Sequence, residues 1–81
     1  MAIMERRLSL PTRIKSLEAG LWQRHDGRIV RVREMHDAHL INALLKALAD
    51  REPMAITKPL TAEVVRRNLY ETAMRVAEER S

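Results

Sequence analysis

Three histidines are the side chains in this sequence that are best suited to bind a metal ion. His36 and His39 are three positions apart, a spacing that can put both on one helix face, and Glu34 and Asp37 lie beside them. The pair straddles the expected start of a helix, however, so we expect His36 to point away from His39. The third histidine, His25, lies next to a turn. We therefore predict no metal site and interpret His39 as a residue of the first helical turn.

Groups that catalyse reactions by nucleophilic attack are sparse in this chain. It contains no cysteine, and its three serines do not lie in a nucleophile motif. The carboxylates are scattered over predicted helix surfaces, and two glycines are too few for a glycine-rich phosphate loop. We therefore predict a protein that is not an enzyme and needs no cofactor.

Arginine is the most informative charged residue here. Twelve of the fifteen basic residues are arginine, whose planar guanidinium suits forked contacts with phosphate or carboxylate. Four of them lie close to the single tryptophan, so that arginines could contact phosphates while the indole stacked on a base. Either nucleic acid or an acidic protein surface fits this pattern. The predicted partner-binding residues are Trp22, Arg24, Arg28, Arg31 and Arg33.

The segment that carries these arginines, residues 21–33, has the pattern of a β-hairpin. Asp26-Gly27 is a favoured pair for a two-residue turn. Such a turn predicts that Trp22 faces Arg31, so that one face is rich in arginine and the valines point to the core. Because an isolated hairpin is marginally stable, this one must pack against helices.

Two long helices are predicted after the hairpin. The first spans residues 36–52 and has a continuous apolar stripe with a proline just beyond it. The second spans residues 61–80, where Thr61 is a natural N-cap. Residues 53–60 contain two prolines and are predicted to be a linker. That connection is too long for a helix-turn-helix motif, whose helices are joined by a short turn.

Residues 1–20 are predicted to form an N-terminal arm or a short helix. Ser9 suits the N-cap position, Pro11 is tolerated in a first turn, and Gly20 is a natural stop. The first eight residues are either a basic arm or the start of that helix. The predicted fold class is therefore α+β: a two-stranded antiparallel β-hairpin packed with two long α-helices and a short N-terminal helix, in one domain of residues 1–81.

The chain is short for a protein that folds without disulfides or a structural metal. We therefore expect self-association to a homo-oligomer. The predicted helices also carry more apolar surface than a monomer of this size needs, and leftover apolar surface marks interfaces. The candidate interface residues are Ile41, Leu45, Tyr70 and Met74.

Charge is concentrated in the first part of the chain. Residues 1–33 contain eight basic and three acidic residues, a net of +5, whereas residues 34–81 contain seven and eight, a net of −1. No apolar stretch approaches the roughly 20 residues of a membrane span. The N-terminus carries charges where a signal peptide would be apolar. Together with the absence of cysteine, this pattern predicts a cytoplasmic protein that does not bind membranes.

The run of residues 21–44 resembles a group of short phage, prophage and mobile-element proteins, most of them uncharacterised. Their recurring pattern is a tryptophan, a basic Asp-Gly turn, a short strand, a methionine and a helix that opens with His-Leu-x-Asn. At His36 this sequence departs from the group, which usually has a small hydroxyl residue that caps the helix. The matching residues are Trp22, Asp26, Gly27, Met35, His39, Leu40 and Asn42.

The resemblance implies an accessory protein of a virus or mobile element and supplies no catalytic residue. Small proteins of this kind often bind and block a host factor, including CRISPR or other defence machinery. The predicted function is therefore non-catalytic: the protein binds and modulates a host protein in the host cytoplasm, for example as an anti-CRISPR inhibitor. The alternative is a nucleic-acid-binding accessory or regulatory protein that uses the arginine-rich face of the hairpin.

Overall fold

A computed structural model of the chain describes residues 8–24 and 26–80. It has an α+β fold, as predicted, in which a two-stranded antiparallel sheet is packed with α-helices. In chain order the described elements are α1 (Leu10–Glu18), β1 (Leu21–Gln23), β2 (Ile29–Arg31), a short 3₁₀ helix (Val32–Glu34), α2 (Asp37–Ala49), α3 (Met54–Arg66) and α4 (Tyr70–Arg80).

Helix α1 is the short helix predicted ahead of the hairpin. Pro11 lies in its first turn, where a missing N–H leaves no helical bond unmade. Ser9 occupies the N-cap, but its hydroxyl donates to the Thr12 hydroxyl (3.0 Å) and caps no backbone amide. Gly20 follows the helix with φ +82°, the left-handed conformation that commonly ends helices. Most of the predicted basic arm, residues 1–7, lies outside the described residues.

The hairpin is present, but its register differs by one residue from the predicted one. Trp22 pairs with Val30, and Leu21 pairs with Arg31. A shift of one residue moves every side chain of a strand to the opposite face of the sheet. The prediction that Trp22 shares a face with Arg31 is therefore wrong. Trp22 and Val30 instead pack against the hydrophobic core.

The hairpin loop explains the shifted register. The Arg24 N–H donates to the Arg28 carbonyl (2.7 Å), so three residues lie between the paired strands. The Gly27 N–H donates to the Arg24 carbonyl (2.9 Å), and Gly27 adopts φ +92°. A turn followed by a left-handed glycine is the usual three-residue hairpin connection. The Asp26-Gly27 pair indicates a hairpin without fixing which of the two loop lengths forms.

Helices α2 and α3 form the centre of the fold. Their apolar stripes pack together with Leu17 of α1 and with Val32, which follows β2. Burial of a large aliphatic side chain contributes about 1.5–3 kcal/mol, so this helix pair supplies most of the stability. The largest completely buried side chains lie on these two helices: Leu40, Ile56, Leu60 and Val64.

The structure contradicts the predicted linker at residues 53–60. Pro53 is the N-cap of α3, and Pro59 lies inside that helix. A proline in a helix interior removes one backbone hydrogen bond. Ile56 and Leu60, one helical turn apart, are both completely buried, and their burial outweighs the lost bond. Only residues 50–53 join α2 to α3. The prediction that this connection is too long for a helix-turn-helix motif is therefore wrong.

The predicted long helix over residues 61–80 is also wrong, because the chain breaks within it. Asn68 adopts φ 61° between α3 and α4, and its N–H donates to the Val65 carbonyl (2.9 Å). Asparagine is one of the few residue types that adopt this left-handed conformation readily. After the break, α4 packs only lightly on the other helices, and Ala73 is its one buried residue.

One arginine ties the end of α3 to the start of α2. The side chain of Arg67 is only 13 % exposed. A guanidinium has five N–H donors, and Arg67 uses all of them. It donates hydrogen bonds to the carbonyl oxygens of Met35 (2.6 Å), Val32 (3.0 Å) and Arg33 (3.1 Å) and to the carboxylates of Asp37 (2.9 Å) and Glu63 (2.8 Å).

Candidate functional site

A groove lies between α2 and the segment formed by α1 and β1. Its volume is about 260 Å³, close to the lower limit of about 300 Å³ for small-molecule sites. We refer to it as the Trp22 groove. The residues that line it come from α1, β1, α2 and the turn after α2: Arg13, Trp22, Gln23, His39, Asn42, Ala43, Lys46, Ala47, Asp50 and Glu52.

The Trp22 groove has an aromatic wall and a floor of small residues. Ala43 and Ala47 are buried and lie one helical turn apart on α2. Because alanine carries only a methyl group, the surface of α2 is low at this point. Trp22 borders the same depression and is held there by pairing with Val30 and by packing against the core. The groove can therefore accept one apolar or aromatic side chain of a partner.

Two ion pairs form the rim of the Trp22 groove. Arg13 of α1 binds Glu52 at 3.1 Å, and both side chains are largely buried. Lys46 and Asp50 pair at 3.2 Å in the last turn of α2 and are mostly exposed. Two cations and two anions give the rim no net charge. This arrangement favours an uncharged occupant over a polyanion such as nucleic acid.

His36 and His39 have different surroundings, in agreement with the expectation that they do not share a helix face. His39 is half-buried and lines the Trp22 groove, whereas His36 is the exposed N-cap of α2 and does not line it. Among residues 8–24 and 26–80, no three histidine or acidic side chains are grouped as a metal site would require. His25 lies outside the described residues.

Asn42 connects the Trp22 groove to helix α4. Its side chain lines the groove and also a second cavity, which lies between α2 and α4. The Asn42 Oδ1 atom accepts a short hydrogen bond from Nη2 of Arg80, near the end of α4. Asn42 thus contacts α4 directly.

The predicted arginine face does not exist as one surface. Pairing of Arg24 with Arg28 puts these two on the Trp22 side, whereas Arg31 lies on the opposite face and Arg33 lies in the 3₁₀ helix. Arg28 is 77 % exposed. Two of the four arginines thus share a face of the hairpin with Trp22, and the other two do not.

Acidic side chains offset part of the hairpin's positive charge. Asp26 lies 4.0 Å from Arg24 and 3.9 Å from Arg28, and Glu34 lies 4.0 Å from Arg31. The backbone N–H of Arg28 donates to Asp26 (3.0 Å). That hydrogen bond, with the nearby Arg24 and Arg28 charges, lowers the pKa of Asp26 below its ordinary value. Asp26 is thus held in its charged form beside the arginines.

The four candidate interface residues are divided by the fold. Ile41 is buried in the core and is therefore not a surface contact, and Leu45 is half-buried against the core. Tyr70 and Met74 remain 53 % and 44 % exposed. Only the two residues on α4 are available to a partner without rearrangement of the core.

The Trp22 groove was not predicted from the sequence, because the predicted binding surface was a charged face of the hairpin. A signal was nevertheless present: His39, Asn42 and Lys46 recur at helical spacing on α2, next to the small residues Ala43 and Ala47. Polar residues beside alanines on an otherwise leucine-rich helix indicate a surface that no large side chain fills.

No family model, curated protein or solved structure matches this chain. None of the helices in the described residues is long and apolar enough to cross a bilayer.

Proposed function

We propose that this chain is a non-catalytic binding protein of phage or prophage type, and that it binds and modulates a host protein through the Trp22 groove. Components of host defence systems, such as the CRISPR machinery, are one class of target that such a protein would block. The proposal includes a cytoplasmic location in the host cell and no cofactor.

The observation that carries the proposal is the convergence of three side chains. Trp22 comes from β1, and His39 and Asn42 come from α2, yet all three line the Trp22 groove. These same residues belong to the pattern by which the sequence resembles phage accessory proteins. The other residues of the pattern have structural positions: Met35 and Leu40 are buried. Three residues of the pattern, of which Trp22 also packs against the core, thus border the groove.

The chemistry of the Trp22 groove supports a protein segment as its ligand. The small volume and apolar floor suit a single apolar side chain, and aromatic residues such as Trp22 commonly anchor protein interfaces. The polar side chains around it, His39 and Asn42, can hydrogen-bond the backbone of a bound segment. The neutral rim adds no attraction for phosphate.

The alternative function, nucleic-acid binding through the hairpin, has narrower support. Arg28 and Arg31 are well exposed and could contact phosphates. However, Trp22 packs inward and is not on the face of Arg31, so stacking on a base beside that arginine is not available. Helix α4 is also poorly suited to bind in a groove of DNA, because it carries three acidic and two basic residues, a net charge of −1.

Affinity capture from a bacterial lysate, with and without nuclease, tests the function. His39→Ala removes a side chain from the Trp22 groove, and His36→Ala, three residues away and outside the groove, is its matched control. We expect a host protein to be retained by the wild type and by His36→Ala, to be lost with His39→Ala, and to be unaffected by nuclease. Capture that disappears with nuclease, or that survives His39→Ala unchanged, would contradict host-protein binding at this site.

We also propose that the chain self-associates, since its core is small and α4 is thinly covered. The surface that we propose for self-association consists of the exposed residues of α4 and does not include the Trp22 groove.

A further inference from the structure

Helix α4 presents an apolar pair that the rest of the chain leaves uncovered. Tyr70 and Met74 are one helical turn apart and therefore adjacent on the helix surface. Both are about half exposed, whereas the adjacent side of the helix packs inward through Ala73 and the half-buried Val76. The exposed pair lies at the edge of the contact between α4 and the rest of the chain.

Two opposite charges lie beside this apolar pair. Glu71 and Arg75 are exposed and are each the next residue after Tyr70 and Met74. Their spacing of four residues allows an ion pair within the helix, yet within the described part of the chain neither side chain is in an ion pair. Glu71 and Arg75 are therefore available to pair with charges on a partner.

We propose that this face of α4 binds a second copy of the chain, with the two α4 helices antiparallel about a two-fold axis that crosses the exposed side of the helix at the level of residue 73. A two-fold interface uses the same surface on both partners and must therefore be self-complementary. An axis at residue 73 brings Glu71 of one copy to Arg75 of the other, twice, and places the Tyr70–Met74 pair of each copy at the centre.

Charge complementarity selects a second copy over an unrelated partner. Glu71 and Arg75 lie symmetrically about residue 73, so in an antiparallel pair each faces the oppositely charged residue of the other copy. The area is small, because α4 has eleven residues, and interfaces of this size are weak. The inferred dimer therefore forms and dissociates with concentration. This inference deepens the proposed self-association and is independent of host-protein binding.

Sedimentation equilibrium from micromolar to millimolar concentration tests the apolar part of the interface. Met74→Ser should weaken dimerisation about tenfold or more. Met54→Ser is the matched control, because Met54 is 72 % exposed and lies at the start of α3. The Arg67 junction, which precedes α4, lies at the other end of α3. A wild-type protein that stays monomeric throughout, or equal effects of the two substitutions, would overturn the proposal.

Charge reversal tests the two-fold geometry itself. Glu71→Arg gives two cations on each copy, and Arg75→Glu gives two anions, so each variant alone should dimerise about tenfold more weakly than the wild type. An equimolar mixture of the two variants, in which every cross-pair is opposite in sign, should dimerise again, and so should the double variant Glu71→Arg/Arg75→Glu. Variants that remain dimeric alone, or a mixture that remains monomeric, would rule out this pairing. The two capture variants at His36 and His39 should leave dimerisation unchanged, so the two proposals can fail separately.

Discussion

Arg67 and the arginines of the hairpin are the same residue type in opposite situations. Arg67 is largely buried, and each of its five N–H donors has an acceptor in the chain. Arg28 and Arg31 are mostly exposed, and each has one carboxylate at 3.9–4.0 Å. The first organises the backbone of three elements, whereas the others are solvated and free to rearrange.

This difference shows that a high density of arginines in a segment does not indicate which arginine stabilises the fold. A buried guanidinium is strongly destabilising to remove because its partners are left unpaired, whereas exposed ion pairs contribute about 0–1 kcal/mol. The sequence drew attention to the hairpin, where arginines are dense. The structural role belongs to Arg67, the residue that follows α3. Four of its five acceptors lie 30 or more residues away in the sequence, so local composition does not indicate this role.

Replacement of Arg67 is the largest expected effect. Arg67→Met keeps much of the side-chain volume but removes five hydrogen bonds, to three carbonyl oxygens and two carboxylates, so we expect a loss of about 3 kcal/mol of unfolding free energy. Arg66→Met is the matched control, because Arg66 also binds Glu63 but is 61 % exposed, and it should lose about 1 kcal/mol or less. Denaturant unfolding of both variants makes the measurement. Equal losses would show that burial does not distinguish the two arginines.

The pH dependence of stability reports on the same junction through Glu63. Hydrogen bonds from Arg66 and then Arg67 lower the pKa of Glu63 from 4.5 to about 2. Because the folded-state pKa is below the unfolded-state value, the stabilisation is complete above about pH 4.5 and is lost as the pH falls toward 2. Unfolding free energies measured across that interval should fall more steeply for the wild type than for Glu63→Gln. Parallel curves would contradict a charged Glu63 at the junction.

Arg51 differs from both, because its left-handed backbone conformation is unfavourable for a residue that has a Cβ atom. It adopts φ 56° just after α2, where the Glu52 N–H donates to the Ala47 carbonyl (3.0 Å) and closes the helix. A residue with a Cβ is strained by about 1–2 kcal/mol in this conformation, and glycine is not. Part of that gain is offset by the flexibility of glycine in the unfolded chain, so Arg51→Gly should stabilise the fold by about 0.5–1 kcal/mol. A calorimetric melting temperature below that of the wild type would contradict this assignment.

The smallest effect is expected at the hairpin. Arg28→Ala and Arg31→Ala each remove an exposed side chain with one long ion pair, so each should change the unfolding free energy by about 0.5 kcal/mol or less. A loss comparable with that of Arg67→Met, measured under the same denaturant conditions, would show that the hairpin arginines also organise the fold.

The elements that were predictable are those with strong local signals. The turn around Gly27 indicates a hairpin, and the apolar periodicity of α2 identifies a helix. The register was not predictable, because an Asp-Gly pair serves loops of two or three residues and the choice decides which face Trp22 joins. Packing of Trp22 against the core makes that choice in this protein.

The errors in the second half of the chain have two different physical causes. Proline at positions 53 and 59 indicated a linker, but burial of Ile56 and Leu60 outweighs the unfavourable proline inside α3. The break after α3 carried a readable signal in Asn68, a residue type that tolerates the left-handed conformation. Only the α2 wall of the Trp22 groove has a signal in the sequence; the groove itself could not be located, since its walls come from segments that only the tertiary fold brings together.

The most direct test of the account is a calorimetric titration of the captured host protein with three forms of the chain. Compared with the wild type, we expect His39→Ala to weaken binding about tenfold or more, Arg31→Ala to change it little, and added salt to have a small effect. Binding that falls steeply with salt and is weakened by Arg31→Ala, while His39→Ala binds normally, would place the function on the hairpin arginines and contradict the Trp22 groove as the binding site.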